Sequence, residues 1–156
     1  LTDVTGVQTC ALPIYESFVE PRDAIDRVSR RPDFAVLVYP VIAFGEPFTH
    51  YGSQYNLLGR DADKSLVEKF SNEKQVTPQT PPTFLFSTWE DTAVPAENSI
   101  AFYLALRKAK VPAEMHIFLK GPHGIGLGAK SGAASAWPGL CEKWMDVSGF
   151  LKCKTQ

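Results

Sequence analysis

The chain has 156 residues, 44% of them hydrophobic and 12% aromatic, which suits one folded domain with a sizeable core and excludes a disordered chain. Its formal net charge of −1, with no basic run longer than the pairs Arg30-Arg31 and Arg107-Lys108, gives no electrostatic case for a nucleic-acid or membrane partner. No apolar run approaches the ~20 residues of a membrane span, and Cys10, Cys141 and Cys153 lack the C-x-x-C spacing of zinc or redox motifs.

The first fourteen residues, LTDVTGVQTCALPI, have neither a charged n-region nor a continuous apolar h-region, so they are not read as a signal peptide. Val4 to Ile14 is what a common short-read sequencing adapter encodes when it is translated. Residues 1–14 are therefore expected to be a non-native scar, residues 15–156 the C-terminal part of a single domain, and the natural protein is expected to extend upstream of Tyr15. The compartment is left open by this reading. Cys141 and Cys153 can be read as a pair in an oxidising compartment or, more plainly, as one buried thiol and one tail thiol.

In EPRDAIDRVSRRP, Asp23 is placed to cap a short helix that Pro32 ends. Phe34 to Tyr39 is a continuous apolar, β-branched run closed by Pro40, the pattern of a strand buried on both faces. Gly45 to Pro82 reads as an irregular excursion of the kind that forms a lid or rim. It is interrupted by one short helix that Asp63 caps and that buries Leu66, Val67 and Phe70. Thr83 to Thr88, TFLFST, is a second buried strand. A helix follows, with Pro95 in its first turn, Glu97 near its N-terminus and Lys108 and Lys110 at its end. Its expected face carries Ile100, Tyr103, Leu104 and Arg107. Glu114 to Leu119 is the third strand. The glycine-rich GPHGIGLG comes next, then a helix capped by Ser135, striped by Trp137, Leu140, Cys141 and Trp144 and stopped at Gly149.

Strands alternating with helices predict an α/β fold with a parallel sheet, whose ligand sites lie at the carboxyl ends of the strands. Asp91 and His123 each follow such a strand. A carboxylate there can accept a hydrogen bond from one imidazole nitrogen and stabilise the imidazolium, leaving the other nitrogen to take a proton from a nucleophile. His116, inside the third strand, reads as structural and His50 as a rim residue. Trp89 reads equally as a pocket wall or a core residue. Three scattered histidines give no metal spacing. GPHGIGLGAK lacks the spacing of a phosphate-binding loop.

The order acid then histidine, with one helix and one strand between, matches the last two triad members of α/β-hydrolases. From about Asp23 to Leu151 the chain resembles the C-terminal half of α/β-hydrolase-fold serine esterases. It is most similar to the carbohydrate-acetyl (acetyl-xylan) esterase and dienelactone-hydrolase-like group. The residues that carry the resemblance are TWEDTAVPAENSIAFYLAL, with D-x-x-V-P from Asp91 to Pro95, NEKQVTPQTPPTFLF ahead of it, and GPHGIGLG. The resemblance implies the C-terminal portion of an α/β-hydrolase fold, three parallel strands with flanking helices in an incomplete sheet. It also implies Asp91 as triad acid, His123 as triad base, no cofactor, and a small acyl ester or acetylated carbohydrate as substrate. The chain departs from that family in having no G-x-S-x-G nucleophile elbow and no H-G-G-G oxyanion loop. It is accordingly expected to be inactive by itself and prone to self-association through an open sheet edge. A prolyl-oligopeptidase-type peptidase and a non-enzymatic α/β binding module are the alternatives.

Overall fold

A computed structural model describes residues 23, 24, 27 and 31–151. The expected adapter-derived segment, most of the expected helix after Asp23, and Cys10 and Cys153 lie outside the described residues.

Three strands, β1 (Ala35–Val38), β2 (Thr83–Thr88) and β3 (Ala113–Phe118), form one parallel sheet in that spatial order. The register pairs Val36 with Phe84, and Phe84 with Glu114. The excursion after β1 carries helices α1 (Tyr51–Leu58) and α2 (Lys64–Lys69) and a 3₁₀ turn, Asn72–Gln75. Helix α3 (Glu97–Lys108) joins β2 to β3, and α4 (Trp137–Val147) follows a second 3₁₀ turn, Gly132–Ala136.

The central strand explains the layering. All six residues of β2 are buried, and their side chains alternate between faces. Phe84 and Phe86 meet Trp137, Cys141 and Trp144 of α4 on one face, with Trp137 stacked on Phe86 at 5.3 Å between centroids. Leu85 packs on the other face with Ile42, Phe102, Leu106 and Val111, the α3 side. A buried side chain of this size contributes roughly 1.5–3 kcal/mol, so β2 and its two helices form the energetic centre. The excursion is anchored by a smaller cluster of Val41, Phe44 and Val94, with Leu58, Val67 and Phe70 against it. Among the described residues no helix is long and apolar enough to cross a membrane.

Several local expectations need correction. Strand β1 is only half-buried along its length, because its outer side has no neighbouring strand among the described residues. Residues 51–58 are helical, which YGSQYNLL does not advertise because its apolar residues form no stripe. Asp63 precedes α2 but makes no side-chain cap, and Leu66 points to solvent while Val67 and Phe70 turn inward. Ser135 does not cap α4; its hydroxyl donates to the Gly132 carbonyl inside the 3₁₀ turn. The buried face of α3 runs through Asn98, Ser99, Phe102 and Leu106, leaving Leu104 exposed. Two polar residues can occupy that face because each is satisfied. The Ser99 hydroxyl pairs with the Ser87 hydroxyl at 2.6 Å, and the Asn98 amide makes four hydrogen bonds to backbone.

Candidate active site

Both singled-out residues leave the carboxyl end of the sheet. Trp89 N–H donates to the Phe118 carbonyl, so the chain remains tied to β3 one residue beyond β2. Asp91 then turns the chain. Its Oδ1 accepts from the N–H groups of Ala93 (3.0 Å) and Val94 (2.8 Å), a local turn that leads through Pro95 into α3. Those two bonds fix the carboxylate's orientation and leave Oδ2 for another donor. That donor is His123 Nδ1, at 2.7 Å. The Asp91 side chain is fully buried and the imidazole is 37% exposed.

A buried carboxylate is costly unless hydrogen-bonded, and here three donors, two of them backbone, meet it. Because the carboxylate can only accept, the shared proton is assigned to Nδ1. In the neutral ring, Nε2 is then an unprotonated base. The structure thus brings together the acid and the imidazole singled out from the sequence.

The histidine loop is held on several sides. The Thr88 hydroxyl donates to the Gly121 carbonyl at 2.6 Å. Gly121 N–H reaches Glu90 Oε2 at 3.4 Å, and the Trp137 indole N–H donates to the Gly126 carbonyl at 2.9 Å. Gly121 has φ +141, and a Cβ there would lie 3.0 Å from Thr88 Cγ2. Glycine is what lets β3 exit so close to β2.

The other histidines lie in different settings. His116 Nε2 sits 2.8 Å from Glu114 Oε1, beside the Phe84 ring, in keeping with a structural role. His50 is the N-cap of α1, its Nδ1 accepting from Ser53 N–H. Sequence reasoning missed this cap because histidine is an uncommon residue in that position. Trp89 is 67% exposed and is therefore not a core residue. Cys141 is a buried free thiol, its pKa pushed up by burial and secondarily by Glu114. Among the described residues, no group of three or more His, Cys, Asp or Glu side chains is disposed to hold a metal ion.

A parallel sheet with helices on both faces and a carboxylate–imidazole pair at its carboxyl edge is the C-terminal part of an α/β-hydrolase fold. The sequence matches the prolyl oligopeptidase family over residues 29–136, and the chain belongs to that family. It is 43% identical over 112 residues to endo-1,4-beta-xylanase B of Butyrivibrio fibrisolvens, covering 72% of this chain and 17% of that protein. It is 36% identical over 102 residues to an acetylxylan esterase of Xylanibacter ruminicola, covering 63% of this chain and 21% of that protein. Among solved structures, the acetyl ester-xyloside bifunctional hydrolase of Caldicellulosiruptor lactoaceticus superposes with a TM-score of 0.86 at 43% identity. That match covers 92% of this chain and 53% of that one. The chain therefore spans about a fifth of the two former proteins and about half of the latter.

Proposed function

We propose that the protein to which this chain belongs is a serine carboxylic ester hydrolase acting on small acyl groups, above all acetyl esters of plant polysaccharide. The observation that carries the proposal is the 2.7 Å contact between buried Asp91 Oδ2 and partly exposed His123 Nδ1. The likeness to an acetylxylan esterase and to an acetyl ester-xyloside hydrolase supports the substrate class.

On this reading His123 Nε2 takes the proton of a serine hydroxyl as the serine oxygen attacks the acyl carbon. Asp91 holds the ring in the Nδ1–H tautomer and stabilises the imidazolium. The proton passes to the departing alkoxide as the C–O bond breaks. Water then attacks the acyl carbon with His123 again as base, the acyl–serine C–O bond breaks, the serine oxygen takes the proton back from His123, and the carboxylic acid leaves. The serine and the oxyanion donors would come from a part of the protein outside these 156 residues, since no G-x-S-x-G occurs within them. Among the described residues β1 is an edge strand, which supports the same view, as a place for further strands in the whole protein and for self-association of the isolated chain.

The family match favours a second reading, a peptidase cleaving after proline. The test is the whole protein assayed on aryl acetates and acetylated xylo-oligosaccharides against proline-containing peptide amides. Ester turnover that falls about 10⁴-fold in Asp91→Asn is expected. Turnover of the amides alone, or full activity in Asp91→Asn, rejects the proposal.

A further inference from the structure

Tyr39, the residue that follows strand β1, has a backbone conformation unusual for its residue type, with φ 42°. Left-handed backbone suits glycine and, less well, asparagine, whereas an aromatic residue there is an outlier that calls for a reason. The turn alone does not supply one, because glycine would make it more easily. The sheet is not disturbed, since Tyr39 N–H still donates to the Phe86 carbonyl.

The side chain supplies the reason. The Tyr39 ring meets the His123 ring edge-on, with centroids 4.8 Å apart and planes at 65°. It is backed by Phe86 at 6.2 Å. Its hydroxyl oxygen accepts from the N–H of Gly126, 3.2 Å away and 87 residues on in the chain. The residue just after β1 therefore touches both the imidazole and the loop that carries it.

We propose that Tyr39 is a positioning residue for His123. Asp91 grips the ring at one atom, Nδ1, and a single hydrogen bond restrains swinging about that contact poorly. The loop around it is rich in glycine, the ring is 37% exposed, and Tyr39 is the aromatic ring that flanks it among the described residues. Tyr39 blocks the swing laterally and ties down Gly126. The strain at Tyr39 is tolerated because the contact it permits holds the base in register with the acid. This inference rests on the reading of His123 as the base.

The test is Tyr39→Gly, which suits the backbone and deletes the ring together with its hydroxyl. Tyr39→Phe keeps the ring contact and removes the hydroxyl. ¹⁵N-histidine spectra of the whole protein are expected to show the Nδ1–H tautomer of His123 in the parent and in Tyr39→Phe. Tyr39→Gly should give a mixture with the Nε2–H tautomer. In the whole protein, Tyr39→Gly should lower kcat about 10- to 100-fold with KM little changed. Tyr39→Phe should cost about fivefold, the worth of one neutral hydrogen bond. Unchanged His123 ring signals in folded Tyr39→Gly overturn the inference, as does an unchanged kcat. If the parent protein cleaved no ester, the esterase reading would fail while the spectra still decided the role of Tyr39.

Discussion

Asn98→Ala tests the scaffold beneath the site most directly. Asn98 is fully buried and uses both ends of its amide. Its Oδ1 accepts from Ile42 N–H (2.9 Å) and Ala43 N–H (3.1 Å), while Nδ2 donates to the carbonyls of Phe48 (3.0 Å) and Pro95 (3.1 Å). It pins the segment leaving β1 to the start of α3, just after the Asp91 turn. Truncation strands two backbone N–H groups at residues only 2% and 0% exposed. Each orphaned buried group costs about 1–3 kcal/mol. With partial relaxation, the total is about 2–4 kcal/mol, a large share of the ~5–15 kcal/mol that holds a domain together. The assay is urea unfolding followed by tryptophan fluorescence and circular dichroism, with a lower midpoint and an unchanged m-value expected. Asn98→Asp adds a pH signature. Its carboxyl keeps the acceptor role but turns its second oxygen on the Phe48 and Pro95 carbonyls, which raises the folded-state pKa above the unfolded ~3.9. Stability tied to a raised pKa is present below the unfolded value and lost as pH rises through the folded one. The deficit of this variant should therefore be smallest below about pH 4 and grow toward neutrality. A cost under about 0.5 kcal/mol for Asn98→Ala, well below one orphaned amide, or a pH-independent deficit for Asn98→Asp, would refute the reasoning.

Gly121→Ala forces a Cβ to 3.0 Å from Thr88 Cγ2 at φ +141, and should cost about 1–3 kcal/mol in urea unfolding. A variant as stable as the parent would show that the β3 exit has room to adjust. Glu73 Oε2 is the buried side-chain oxygen without a hydrogen-bond partner among the described residues. Desolvation raises the Glu73 pKa from 4.5, against its own backbone hydrogen bond and Lys74 and with help from Glu46. Its folded-state pKa being raised, the carboxyl favours the fold below about pH 4.5 and penalises it increasingly above. Glu73→Gln should thus gain about 0.5–1 kcal/mol at neutral pH, or roughly 1–4 °C in Tm, and lose that gain on acidification. A gain that persists at low pH would point to packing instead.

What could be read from the sequence was local and apolar. Strand β2 occupies Thr83–Thr88, the segment read as a second buried strand, and the stripe Trp137, Cys141 and Trp144 is buried as its spacing implied. Asp91 and His123 were singled out for following strands, a matter of chain order. Their 2.7 Å approach follows from neighbouring parallel strands that end together and from the turns that then orient each side chain. Hydropathy could not show the polar side of the packing. The α3 face was misplaced because Asn98 and Ser99, which read as surface residues, are buried by partners up to 56 positions away. The α1 helix was missed because an uncommon cap, His50, starts it and no apolar stripe marks it. Tyr39 was least legible of all. A φ of 42° leaves no trace in a run of apolar letters, and its two contacts are with a loop more than 80 residues distant. Asp91 and His123 thus lie in the chain next to the strands that carry them, whereas Asn98 and Tyr39 find hydrogen-bond partners far along the chain. Substitutions at those two positions should separate geometry from chemistry more cleanly than substitutions at Asp91 or His123, because they leave the carboxylate and the imidazole in place and alter only the framework around them.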